Sequence, residues 1–357
     1  MQFLFNDAPK RVYWELTRAC DLVCRHCRAN ANPCADSQEL QTAEIFRILD
    51  ELAAESAPHV VLTGGDPLKR RDFFEIVEHT VGLGLPCNVS PSATSLLTPD
   101  VIGTLASMRV AAMSLSLDGS TAARHDALRG VVGTYARTLQ LAREIVATRI
   151  SLQINTLVTS ETVDDLPDIH RVVREIGAER WSLFFLIATG RGTSLRQITP
   201  ARSEAVLNWA LDRVGEHRPV VTTTEAPHYR RIALMRHARD LERAPSGPLV
   251  RGLGIRDGNG VMFISHTGAV QPSGFLPLTA GYARTENPLR IYRESPLFQD
   301  LRRTDRFTGR CGCCEFREIC GGSRARAYAA TGDPLGPDPL CPYIPPAAVD
   351  RQAMLRD

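Results

Sequence analysis

The chain has 357 residues, 43% of them hydrophobic and 23% charged, and a net charge of +2. This is the balance of an ordinary globular protein with room for one large domain and a smaller one. It excludes a bulk basic field for nucleic acid or for an anionic membrane. Met1 to Lys10 lacks a charged-then-apolar signal segment, and no apolar run approaches the roughly 18 residues that span a bilayer. The expectation is a cytoplasmic protein. Its ten cysteines are unevenly placed, at 20, 24, 27 and 34, at 87, and five between 311 and 341. In a reducing compartment such clusters point to metal or redox work rather than disulfides. Cys87 stands alone and reads as a buried small hydrophobe.

In chain order, strand-like runs fall at Val12–Leu16, Val60–Thr63, Leu85–Val89, Ala111–Leu117, Ile150–Val158 and Trp181–Ile187. Helical patterns lie between them at Gln38–Ala54, Asp72–Gly82, Pro99–Ser107, Thr134–Ala147 and Val163–Gly177. Thr98 before Pro99 reads as an N-cap with proline at the first helical position. The alternation predicts βα units around a parallel sheet, open or closed as an incomplete barrel. In either form ligands bind at the carboxyl ends of the strands. After Gly190 the pattern changes. Ala201–Val214 and His228–Leu241 read as helices joined by a short strand, Val220–Thr224. Ala244–Gly260 reads as a linker, Val261–Ser265 and Ala269–Gln271 as a hairpin, and the tail to Pro346 as cysteine-rich loop. Ala347–Asp357 reads as a frayed helix.

Cys20, Cys24 and Cys27 follow the first strand. Three closely spaced thiolates can wrap a cubane and leave its fourth iron open, the mark of a catalytic site. Cys34 is available as a fourth ligand, which would close the site. Cys-x3-Cys-x2-Cys after a first strand, with His26 before the last cysteine, resembles the signature of the radical S-adenosylmethionine (SAM) superfamily. Gly64-Gly65-Asp66-Pro67 after the second strand is similar to its SAM amino-group motif. Ser114–Gly119 with His125–Gly130 is similar to its fourth-strand region, and Asn155 to a fifth-strand contact. The resemblance implies an α/β fold, an incomplete (β/α)6 barrel over residues 10–190. It implies a [4Fe–4S] cluster on Cys20, Cys24 and Cys27, and SAM held near Gly64, Gly65, Asp66, Pro67, Ser116, Arg129 and Asn155. It also implies reductive cleavage of SAM to a 5′-deoxyadenosyl radical, with an electron donor such as flavodoxin or ferredoxin as partner.

In the tail, Cys311, Cys314 and Cys320 give C-x2-C-x5-C, with Cys341 returning later. This resembles the SPASM extension of the same superfamily, in shortened, twitch-like form. The resemblance implies a second [4Fe–4S] cluster closed by those four cysteines. Positions 273 and 324 hold serine and arginine where a further cluster needs cysteines, and Cys313 is extra to the pattern. A structural zinc site remains the alternative for four thiolates. The domain reading is 10–190 core, 191–260 connecting helices and linker, and 261–346 auxiliary domain.

Candidate substrate residues fall between core and tail. Glu225 suits an acid or base, and Arg230 and Arg231 suit a carboxylate or phosphate clamp; ordinary helix capping is the competing explanation. Thr189–Gly192 is read as closing over the SAM adenine. The tail resembles several small-molecule enzymes. The main expectation is a small carboxylated substrate, a sugar acid or nucleoside sugar, as in the cytosylglucuronate enzymes of nucleoside-antibiotic biosynthesis. The alternatives are a haem-pathway enzyme that removes propionate carboxyls, a peptide maturase, and a non-enzymatic iron–sulfur scaffold. About ten residues precede the first strand, which counts against a maturase with an N-terminal peptide-binding unit.

Overall fold

The computed structural model describes residues 4–56, 58–213, 218–237 and 252–348. Seven parallel strands follow one another along a single sheet. They are β1 (Arg11–Glu15), β2 (His59–Thr63), β3 (Cys87–Val89), β4 (Ala112–Ser116), β5 (Ser151–Val158), β6 (Arg180–Phe185) and β7 (Val220–Thr224). Beyond the other edge of β1 the sheet continues. The two-residue β8 (Arg256–Asp257) leads into β9 (Gly260–Ile264), which pairs parallel with β1. β10 (Ala269–Gln271) and β11 (Gly281–Tyr282) then pair antiparallel.

Helices α1 (Thr42–Glu55), α2 (Phe73–Gly82), α3 (Pro99–Ser107), α4 (Ala122–Arg129), α5 (Thr134–Val146) and α6 (Leu166–Ile176) connect the first six strands. All but α4 bury an apolar stripe. In α1 it is Ile45, Ile48, Leu49 and Leu52, the helical i, i+3, i+4, i+7 spacing. A capping box between Gln41 and Glu44 starts that helix. Thr98 caps α3 as its sequence predicts, accepting from the Val101 N–H with Pro99 at the first turn.

The strands alternate between two faces. Val12, Trp14, Val60, Leu62, Met113 and Leu115 point into the helix-covered core. The opposite, inner face carries Tyr13, Glu15, Thr63, Ser114, Ser116, Gln153 and Asn155. A polar inner face under a ring of βα loops is where a barrel of this type holds its ligands.

Three expectations shift. Val220–Thr224 is a seventh parallel strand beside β6, with Val221 opposite Trp181, rather than a link between two helices. The hairpin assigned to the tail joins the core sheet through β9, which covers the open edge of β1. Val163–Gly177 divides into a 3-10 turn, Val163–Asp165, and α6. Two helices follow β6, α7 (Pro200–Leu211) and α8 (His228–His237). Residues 244–251 of the expected linker, and all but the start of the expected C-terminal helix, lie outside the described residues.

Candidate active site

Cys20, Cys24 and Cys27 lie on the loop leaving β1. Cys20 and Cys24 are buried and pack with Leu22 and Ala31, and Cys27 and Val131 close the group. Each sulfur has a donor aimed at it. The Leu22 N–H reaches the Cys20 Sγ at 3.4 Å, the Ala31 N–H the Cys27 Sγ at 3.4 Å, and Arg129 Nη1 the Cys24 Sγ at 3.7 Å. Cys34 is exposed, and its N–H donates to Asn32 Oδ1 at 2.9 Å. The loop is gripped by the segment after β6. Arg191 donates Nε to the Cys24 carbonyl at 2.8 Å and Nη1 to the Ala31 carbonyl at 2.9 Å, and its N–H bonds the Cys27 carbonyl at 3.0 Å. A Cβ on Gly190, whose φ is +54°, would stand 2.5 Å from the Cys27 carbonyl oxygen. Thr189–Gly192 thus braces the cysteine loop.

The end of β2 packs against the same loop. A Cβ on Gly64 would come within 2.6 Å of the Thr17 carbonyl oxygen, and one on Gly65 within 2.5 Å of that of Ala19. Only glycine lets the two backbones approach so closely. Asp66 is fully buried and accepts from Thr94 Oγ1 at 2.6 Å, the Leu68 N–H at 3.3 Å and the Ser92 N–H at 3.4 Å. Its side chain therefore fixes the β2 and β3 loops, and Pro67 opens the turn that follows.

Across the sheet, Ser116 and Asn155 are direct neighbours in the β4–β5 register, followed by Ser182 on β6 and Thr222 on β7. Gln153 Nε2 donates to Asn155 Oδ1 at 2.7 Å. Arg129 ends α4 and forms an ion pair with the buried Asp118. Burial opposes ionisation of Asp118, but Arg129, His26, His125 and the Leu157 N–H together outweigh it and hold the carboxyl below its ordinary range. Arg129 Nε and His26 Nδ1 are buried and have no partner among the described residues. Beside the cysteine loop, these atoms are placed to bond a bound group or water.

In the tail, Cys311, Cys314, Cys320 and Cys341 line one cavity, together with Arg231, Gly322 and Tyr343. Cys313 is not among its lining residues, and its sulfur turns to the Arg310 carbonyl at 3.7 Å. The Asp338 N–H and Arg324 Nη2 approach the Cys311 Sγ at 3.4 and 3.6 Å, and Arg231 Nη2 the Cys341 Sγ at 3.8 Å. Gly321 and Gly322 take φ of +70° and +67°, and a Cβ on Gly322 would stand 3.2 Å from the Cys311 Sγ. Burial pushes the Cys320 thiol up to about 12 and the Cys314 thiol up to about 11. Thiols this costly to ionise are deprotonated by a bound metal. Among the described residues no three His, Cys, Asp or Glu side chains converge on one point as ligands of a single ion would. A cubane takes its thiolates at separate irons, and three thiols on one loop and four around one cavity suit it.

Glu225, Arg230 and Arg231 do not converge. Glu225 follows β7 with φ of +59° and meets Ser323 Oγ. Burial, then the nearby Asp257 carboxylate, hold the Glu225 carboxyl well above its ordinary range. Arg230 Nη1 lies 3.5 Å from the Ile319 carbonyl oxygen. Arg231 grips Glu204 with both terminal nitrogens, at 2.8 and 2.5 Å, and stacks over Tyr343. The sequence places the Ser90–Thr94 loop at the strand ends, but not the Ser92 and Thr94 contacts to Asp66 or the bracing role of Arg191, which have no signature of their own.

The family model of the Radical SAM superfamily matches residues 14–173. A relative named AdoMet-dependent heme synthase, from Nitratidesulfovibrio vulgaris, is 38% identical over 343 residues, covering 94% of this chain and 93% of that protein. The chain belongs to the radical SAM superfamily. A radical SAM relative of the same printed name, from Methanosarcina barkeri, is 37% identical, covering 95% of this chain and 98% of that protein. Among solved structures, Streptococcus suis SuiB bound to S-adenosylmethionine shares the fold, with a TM-score of 0.73 at 19% identity over 94% of this chain and 78% of that one. As a radical SAM enzyme the chain uses a [4Fe–4S] cluster and SAM, with a second cluster typical of relatives bearing a SPASM tail. Among the described residues, no helix is long and apolar enough to cross a membrane.

Proposed function

We propose that this radical SAM enzyme removes propionate carboxyls from a tetrapyrrole of the haem pathway. The observation that carries the reading is likeness along nearly the whole chain, 38% identity covering 94% of it, to a protein named as a heme synthase. The sugar-acid reading from the nucleoside-antibiotic resemblance has no comparable support.

In this reading Cys20, Cys24 and Cys27 hold the SAM-side cluster with one iron open, and Cys311, Cys314, Cys320 and Cys341 close the second. Gly64 and Gly65 place the β2 backbone against the SAM methionine, while Asp66 and Pro67 fix that loop. Ser116, Asn155 and Arg129 line the SAM site, Arg129 with an unsatisfied Nε. Loss of a propionate carboxyl as CO2, leaving an alkene, also gives up one hydrogen atom and one electron. When bound, the two clusters and SAM supply the radical that takes the hydrogen and an acceptor for the electron. The protein's own share is to hold the reacting carbon in line and exclude water.

Glu225 with Asp257, and Arg230 with Arg231, are better read as serving the junction and the second thiol cage than as touching substrate. Their partners are Ser323, the Ile319 carbonyl and Glu204. The test is anaerobic incubation of the holoenzyme with SAM, dithionite and either a propionate-bearing tetrapyrrole or a nucleoside uronic acid. Decarboxylation of the tetrapyrrole coupled to 5′-deoxyadenosine supports the reading. Turnover of the uronic acid alone overturns it.

A further inference from the structure

Arg28, the residue after Cys27, is not used by any role assigned above. Its guanidinium lies over the Phe263 ring, 4.5 Å from the centroid, and its Nη1 donates to Glu15 Oε2 at 2.9 Å. Phe263 on β9 is the register partner of Tyr13 on β1, and Glu15 shares the inner face with Tyr13. The guanidinium therefore covers the inner face at the carboxyl end of β1, on the side away from Ser116 and Asn155.

Glu15 is almost fully buried and is held from three sides. Arg28 meets one oxygen, and His266 Nδ1 at 2.8 Å and Arg18 Nε at 3.4 Å meet the other. Asp36 lies beyond, 3.4 Å from His266 Nε2. Arg28 is thus fixed at Nη1 and by stacking, yet its Nε and Nη2 have no partner among the described residues, and the side chain is 20% exposed. Those two nitrogens form the side edge of the guanidinium, the edge that takes a carboxylate with two parallel bonds. The guanidinium also lies against Gly274. A Cβ there would stand 3.0 Å from Nε and 3.1 Å from Cζ. Glycine at this position leaves room for the guanidinium against Phe263.

We propose that Arg28 anchors a carboxylate of the substrate through its Nε–Nη2 edge, positioned by Glu15 and Phe263. This deepens the haem-pathway reading and rests on it, because that substrate carries several propionates. The other carboxylate within the enzyme's chemistry belongs to SAM, whose site lies at the β2 and β4–β5 ends.

The test measures binding to anaerobic holoenzyme of coproporphyrin III, a tetrapropionate porphyrin, of its tetramethyl ester, and of SAM. Arg28→Gln is expected to weaken coproporphyrin III by on the order of 10- to 100-fold, the loss of a charge-assisted contact. Ester binding, SAM affinity and iron content stay at wild-type levels. Arg28→Lys keeps the charge but not the planar edge, and falls between. Equal losses for acid and ester would make Arg28 a structural brace and overturn the proposal. Weakened SAM binding with unchanged coproporphyrin III would assign the edge to SAM and also overturn it. Tight wild-type binding that Arg28→Gln leaves unchanged overturns the anchor and spares the haem-pathway reading. Failure of the wild type to bind coproporphyrin III overturns both.

Discussion

Replacing Glu15 with glutamine tests the brace at the end of β1. Burial alone would raise the Glu15 carboxyl, but Arg28, His266 and Arg18 together outweigh it and lower it from 4.5 to about 2. A move of that size corresponds to about 3 kcal/mol of folding stability at neutral pH. The sign follows from the direction. The folded value lies below the ordinary one, so the contribution is present above pH 4.5 and is lost only as the pH falls from there towards 2. At roughly 2 cal/mol/K per residue, unfolding 357 residues carries an entropy near 0.7 kcal/mol/K. Glu15→Gln should then melt about 4 °C below wild type. The assay is anaerobic thermal unfolding of the holoprotein at several pH values from 6 to 8, where the gap should stay constant. A variant that melts with wild type, or a gap that closes between pH 6 and 8, refutes the ion-pair account.

Alanine at Cys311, Cys314, Cys320 and Cys341 together should lower bound iron from about eight to about four while SAM cleavage persists; iron analysis and 5′-deoxyadenosine assay check this. Arg129→Ala should weaken SAM binding by roughly 10- to 100-fold, read by equilibrium dialysis, with unchanged affinity placing Arg129 elsewhere. Gly65→Ala forces a Cβ to 2.5 Å from a backbone oxygen, so the cysteine loop should shift and SAM-side iron incorporation should fall. Glu225→Gln should gain stability relative to wild type as the pH rises above 4.5. There the unfolded wild-type carboxyl ionises while the folded one, raised by burial and Asp257, stays protonated; a gap independent of pH would show the carboxyl to be ionised in the fold.

The sheet was legible because its strands alternate buried apolar with other residues and helices such as α1, α2, α5 and α6 carry clear stripes. Helix α4 was not, since only His125 and Leu128 of its eight residues are buried, too few to show a period. β7 was read as a strand but not placed, because Val220–Thr224 is short and half-polar and pairing partners leave no local trace. The resemblance to a SPASM tail picked out the four cysteines that line the second cavity, and Cys313 lies outside that lining. Glu225, Arg230 and Arg231 looked like one constellation because they are close in sequence. The left-handed turn at Glu225 and the roughly 100° between successive helix residues send them to different partners. Arg28 was invisible for the opposite reason. An arginine inside a cysteine motif looks solvated until β9, far along the chain, brings Phe263 beneath it.

The most direct measurement is SAM cleavage by anaerobically reconstituted protein given dithionite, with and without the first three cysteines. Wild type should bind about eight irons and convert SAM to 5′-deoxyadenosine. The Cys20, Cys24 and Cys27 triple alanine variant should keep about four irons and form none. Zinc in place of iron after anaerobic purification, or equal 5′-deoxyadenosine from both proteins, would contradict the assignment of these three thiols to the SAM-side cluster.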